Sequence, residues 1–219
     1  MKSLKLALFF LLFGMLLVAG CSGQDEVESK QDEKSAEDNE SIDPAFEGFE
    51  ENDQIIGQTL LEFELPEAGR VPAEEVEDRF GMAAAGDRIV AYENGYLVNE
   101  ETKRVIAIQY DGDEQPEPEG TQVLALFQSI VQVLSDSYTD ENNREPSDAG
   151  IIISELEEVR PFLNEYPEIT AWIEETQGHF QEAYDLWEEH AEQAEPAYIK
   201  GAENLLDMKK VMDAAAEQS

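Results

Sequence analysis

The apolar residues of this chain change period at residues 111–120, an acidic stretch that holds Pro116 and Pro118 and no apolar side chain. Ahead of it, apolar positions alternate in short runs. Beyond it, they recur at every third or fourth place. Alternation gives a strand one face to bury, whereas a spacing of three and four gives a helix one stripe. The order therefore predicts an α+β chain, with a small strand-bearing module followed by a bundle of helices, rather than repeated strand–helix units.

The first part reads as a module over residues 54–112. Leu61, Phe63 and Leu65 alternate with Glu62 and Glu64, which predicts a strand over residues 59–65 with one wet face. Pro72 then opens a short helix from Ala73 to Phe80, closed by Gly81. Runs at residues 88–92, 96–98 and 104–110 follow, joined by Glu93-Asn94-Gly95 and by the polar turn 99–103. Asn-Gly between two such runs signals a hairpin because both residues accept positive φ, so a three-stranded antiparallel meander is expected. Residues 22–53 contain only Val27, Ile42, Phe46 and Phe49 as large apolar side chains and read as the disordered part of an acidic tether over residues 21–53. A coil of that length spans about 30 Å.

After the linker at residues 113–120, the segment 121–219 reads as the helical bundle. Val123, Phe127, Ile130 and Leu134 predict a first helix to about Ser137, followed by a polar loop with Asn142, Asn143, Pro146 and Gly150. Ser154 with Glu157 forms a capping box for a second helix bearing Leu156, Val159 and Leu163. Ile169, Ile173, Thr176, Phe180, Ala183, Trp187 and Ala194 form a heptad seam, skipped once at His190, which predicts one helix from about Pro167 to Ala194. Pro196 is placed to start a last helix, with Ile199, Ala202, Leu205, Leu206, Met208 and Met212 on its apolar face.

Residues 1–20 have the parts of an export signal: Lys2 and Lys5, an apolar stretch of 14 residues from Leu6 to Ala19, and small residues before Cys21. Spanning a bilayer takes roughly 20 apolar residues, and polar residues follow the stretch, so it reads as a signal rather than a span. Val18-Ala19-Gly20-Cys21 resembles the lipobox of bacterial lipoproteins, with valine at its head in place of the commoner leucine. The resemblance implies cleavage between Gly20 and Cys21 and acylation of the Cys21 thiol with diacylglycerol, with palmitate among the usual chains. It also implies residence on the extracytoplasmic face of the cell membrane. Two or three chains, at about 0.8 kcal/mol per buried CH₂, hold such an anchor without help. Cys21 is the sole cysteine, so no disulfide is available and packing must supply the stability.

Over residues 72–110 the order of short helix, glycine stop and strands carrying Tyr92, Tyr96 and Val105-Ile106-Ala107-Ile108 resembles the small domains of BamE-like envelope lipoproteins. Ala83 stands where that family usually has proline. The resemblance implies a protein-binding module and assigns no site residue. Gly178 to Trp187 resembles the second helix of a tetratricopeptide repeat, which would make Gly178 the break of a helical hairpin, but no second copy lies about 34 residues away.

With 14 Lys+Arg against 51 Asp+Glu the net charge is −37, and removal of Lys2 and Lys5 with the signal takes it to −39. Clustered bases are missing, which excludes nucleic acid as a partner, and anionic lipid head groups repel the folded part. The acids run through the whole chain, which suits either high external salt or collection of cations.

Chemistry has few candidates. His179 and His190, the only histidines, lie 11 residues apart, about 16 Å along a helix, so they cannot share a metal on an unbroken one. Asp111, Asp113 and Gln115 open like a calcium loop, but Pro116 and Gln122 occupy places that need glycine and glutamate. No Gly-x-Ser-x-Gly elbow and no phosphate loop occur. The expectation is a non-catalytic lipoprotein of the cell envelope, with no cofactor and no metal, that binds an envelope protein, with Trp172, Tyr184 and Trp187 as candidate contacts. A solute- or cation-binding lipoprotein and an envelope hydrolase stand as alternatives. The first would need a pocket and the second converging carboxylates.

Overall fold

The computed structural model describes residues 42–81, 88–110, 115–141 and 145–218. Among them are six α-helices, α1 (Glu51–Glu62), α2 (Ala73–Phe80), α3 (Gln122–Tyr138), α4 (Ala149–Val159), α5 (Pro167–Trp187) and α6 (Ala191–Gln218), with short 3₁₀ turns. The strands are β1 (Ile89–Ala91), β2 (Tyr96–Asn99) and β3 (Arg104–Ile108), so the fold is α+β. None of the described helices is long and apolar enough to cross a membrane.

The strands pair antiparallel in the order β1-β2-β3, the expected meander. Its first turn differs in detail from the reading at Asn94-Gly95: of the two, only Gly95 takes positive φ, at 91°. Tyr92 N donates to Tyr96 O at 2.8 Å around a three-residue loop, with the glycine in the left-handed position. A Cβ on Gly95 would stand 1.9 Å from the Gln109 carbonyl oxygen, so only glycine lets β2 start so close to the end of β3. α2 ends as expected at Gly81, which is left-handed at φ 66° with its N–H donating to Glu77 O.

The strand expected over residues 59–65 is instead the end of α1 and an extended continuation. Ile56, Leu60 and Phe63, at spacings of four and three, are buried; Leu65 follows, and only this tail keeps the alternation. Residues 42–53 of the expected tether are folded as well. A 3₁₀ turn, Pro44–Phe46, is capped by Asp43, whose carboxylate accepts from Ala45 N at 2.9 Å. It turns Phe46, fully buried, onto α1 at Gly57, where a Cβ would lie 2.5 Å from the ring. The remainder of the expected tether lies outside the described residues.

α5 and α6 form an antiparallel hairpin. The single helix expected to Ala194 breaks at Glu188, Glu189 and His190, where the seam lapses, and Gly178 stays inside an unbroken helix. Pro196 sits inside α6 rather than at its start. Ala194, Ala197 and Tyr198 are buried as the first turns of α6. The Phe180 ring meets Tyr198 edge to face at 5.2 Å and lies against Gly201, where a Cβ would be 2.7 Å from it. α4 starts at Ala149, five residues before the expected capping box, because the Pro146–Asp148 turn runs straight into it and buries Ala149 and Ile152.

One core runs through both parts. Phe46, Ile56, Leu60, Tyr96 and Val98 belong to the same buried cluster as Phe127, Ile152, Phe180 and Met208. α6 packs against α5, α1 and α3, and β3 lies on α3. Residues 115–120 of the expected linker are pinned to this body: Tyr96 donates to Pro116 O at 3.1 Å, and Asn94 donates to Glu117 O at 3.2 Å and to Gln122 Oε1 at 2.9 Å. A satellite cluster of Val71, Val76, Ile89, Ala91 and Leu97 seats α2 on the sheet.

Candidate functional site

A cleft of about 400 Å³ opens where the start of α1 meets the α5–α6 hairpin. The 3₁₀ turn and the first turn of α1 bring Phe49, Glu50 and Asp53 to one wall, and helical spacing brings Trp172 with Glu175 and Asp207 with Lys210 to the others. Lys210 Nζ is 2.6 Å from Asp207 Oδ1, a pair one turn apart on an exposed helix face. Asn52 donates to the Glu168 carbonyl at 3.4 Å and so ties α1 to the start of α5.

Burial pushes the Asp53 carboxyl above its ordinary range, and the neighbouring charges of Glu50, Asp207 and Glu175 add to the shift. Four carboxylates, with the Lys210 ammonium and the aromatic side chains of Phe49 and Trp172 beside them, give the cleft a negative field that can attract a cation. The carboxylates do not close on a point: among the described residues no group of three or more His, Cys, Asp or Glu side chains is placed to hold a metal ion.

The three candidate contact residues divide. Trp172 is 5% exposed and meets Phe127 edge to face at 5.6 Å, so it is corrected to a core residue that shows only an edge to the cleft. Tyr184 and Trp187 are 50% and 39% exposed, one helical turn apart near the end of α5. The Tyr184 ring rests on Gly150 of α4, where a Cβ would lie 3.1 Å away, next to Ile151 at 48% exposure. These side chains form an apolar patch across two helix ends, set among Asp185, Glu188 and Glu189.

His179 is half-buried on α5 and His190 is exposed in the turn after it. Gly20 and Cys21, the expected cleavage and lipid sites, lie outside the described residues, as does most of the calcium-like opening at Asp111 and Asp113. The carboxylate cleft is hidden in the sequence because the polar composition of residues 22–53 puts Asp53 in the expected tether. The signal was the spacing Asp53, Ile56, Leu60, Phe63, which continues the helix through it. No family model matches the chain, and neither curated proteins nor solved structures give a match.

Proposed function

We propose that this chain is a non-catalytic lipoprotein of the cell envelope, anchored through lipid on Cys21 at the extracytoplasmic face of the cell membrane, whose folded part binds another envelope protein. The observation that carries the reading is the coincidence of Lys2 and Lys5, the apolar stretch and Val18-Ala19-Gly20-Cys21 in one place. Charge supports it: a body with 51 acids against 14 bases is repelled by anionic head groups, so lipid is the attachment that makes membrane residence possible. The exposed aromatic pair Tyr184 and Trp187 supports the protein-binding half, since large aromatic side chains with a polar edge are common anchors of interfaces.

Intact-mass analysis and fractionation of the wild type beside Cys21→Ala test the anchor. The wild type is expected in the membrane fraction with acyl mass on Cys21 and the variant without it; equal distribution of both would sink the reading. Crosslinking in intact cells tests the partner. A product that Trp187→Ala removes, while the variant's melting temperature is kept, is expected.

One observation favours a second reading, a solute- or cation-binding lipoprotein: the cleft presents Phe49 and Trp172 alongside Glu50, Asp53 and Glu175. A ligand held there raises the melting temperature by mass action. Calcium, zinc and an organic diamine, each added at constant ionic strength, separate this from general screening.

A further inference from the structure

A groove of about 430 Å³ runs between α3 and α4 and is closed at one end by β3 and residues 115–118. Its floor is apolar: Leu126 and Ile130 of α3, Ile108 of β3 and Phe162 just after α4, all half-buried. The floor continues past the groove. Leu126, Ile130 and Val133 stand at spacings of four and three on one face of α3, and Val133 is 60% exposed. From Leu126 to Val133 is about 10 Å, or two helical turns.

The rim has one sign. Glu155 and Glu158, one turn apart on α4, stand on one side and Glu117 on the other, and no lysine or arginine is among the lining residues. Burial, with Glu158 close by, shifts the Glu155 carboxyl upward, so the pair has unmet demand for positive charge. The groove is also held open from within. Tyr96 and Asn94 fix the 115–118 wall by hydrogen bonds to the Pro116 and Glu117 carbonyls, so an occupant finds the groove formed.

We infer that this groove docks a basic amphipathic segment of a partner protein, its apolar face on Leu126, Ile130 and Phe162 and its lysines or arginines against Glu155, Glu158 and Glu117. Charge selects this occupant. A second copy would bring an equally acidic rim to the same place, and the chain as a whole is at −37. An apolar floor two turns long matches partner side chains at i, i+3 or i+4, and i+7 of a helix. The inference rests on reading the folded part as a protein-binding module, but it needs neither the lipid anchor nor the Tyr184 and Trp187 patch.

The test uses the full chain in nanodiscs of neutral phosphatidylcholine, with empty nanodiscs as blank, and a synthetic helix with a leucine face and lysine flanks. A matched helix carrying glutamate in place of lysine is the control. The lysine helix is expected to bind and the glutamate helix not. Glu155→Lys with Glu158→Lys should weaken binding about tenfold or more, whereas Glu203→Lys with Glu217→Lys, equal in charge change but on α6, should leave it within twofold. Ile130→Asn should also weaken binding, with a thermal melt to confirm its fold. A photocrosslinker at Val133 should capture the peptide, and one at Leu206 should not. Equal loss in the two charge variants means attraction to the general field alone and overturns the proposal. Equal binding of both peptides, or capture of a second copy at Val133, overturns it in favour of an uncharged occupant or a self-interface. Loss of groove binding while crosslinks that depend on Trp187 persist would remove this inference and leave the wider reading standing.

Discussion

Asp53 gives the molecule a pH dependence that can be traced to one residue. Its carboxyl is held above the ordinary 3.8, by burial first and then by Glu50, Asp207 and Glu175, so the folded state binds its proton more tightly than the unfolded chain does. Stability from this group is fully present below pH 3.8 and is lost as pH rises through the folded value. Relative to wild type, Asp53→Asn is therefore expected to gain stability as pH rises above 3.8 and to level off once the folded-state carboxyl has ionised, read by thermal melts as a function of pH; parallel curves would refute the assignment. Gly57 shows the same dependence on surroundings. Alanine inside a helix gains about 1 kcal/mol over glycine, yet here its Cβ would lie 2.5 Å from the buried Phe46 ring. Overpacking costs about 1–3 kcal/mol, so Gly57→Ala should destabilise. In a Phe46→Ala background the same change should stabilise, and that reversal of sign in urea unfolding isolates the contact.

At the level of elements, Lys103 joins two of them. Its ammonium donates to the carbonyls of Leu61 at 3.3 Å and Phe63 at 2.7 Å and stands 4.9 Å above the Phe63 ring, so the turn between β2 and β3 caps the end of α1. Lys103→Met keeps the stem but leaves those carbonyls without their donor, and a loss of about 1–2 kcal/mol is expected in urea unfolding. Lys200→Met, on an exposed face, should stay within about 0.5 kcal/mol. The elements differ in how readable they were. The Gly81 stop, the meander and α3 rest on signals within a few residues of one another. Residues 59–65 carry two periods at once, because Leu61, Phe63 and Leu65 alternate while Ile56, Leu60 and Phe63 keep helical spacing. Only the face of α6 against α1 decides between them.

For the molecule as a whole, some of the few bases tie elements together: Arg104 reaches Asp213 at 3.2 Å, and Lys209 reaches Asp136 at 3.4 Å. Most acids have no such partner, since 51 face 14 bases. Self-repulsion then works against the compact state, and it fades as the Debye length falls from about 10 Å at 0.1 M salt to about 3 Å at 1 M. The melting temperature should rise by roughly 5 °C between those concentrations of KCl, the equivalent of about 2 kcal/mol for a domain of this size. A flat response would show that the acids stand too far apart to matter.

The sequence by itself determined the α+β class, the meander, the stop at Gly81 and the acidity, because each follows from local periods, turn residues or composition. It also supplied the motif at Cys21, which depends on no fold. Tertiary structure alone decided that Phe46 and α1 join the bundle, that the long seam folds back at His190, and that Trp172 is core while Trp187 is exposed. Those outcomes depend on which faces meet across distant segments, and a period along the chain says that a face will be buried without saying against what. The cleft at Asp53 arises the same way, from side chains of elements far apart in sequence, and the groove between α3 and α4 depends on how those neighbouring helices pack beside β3.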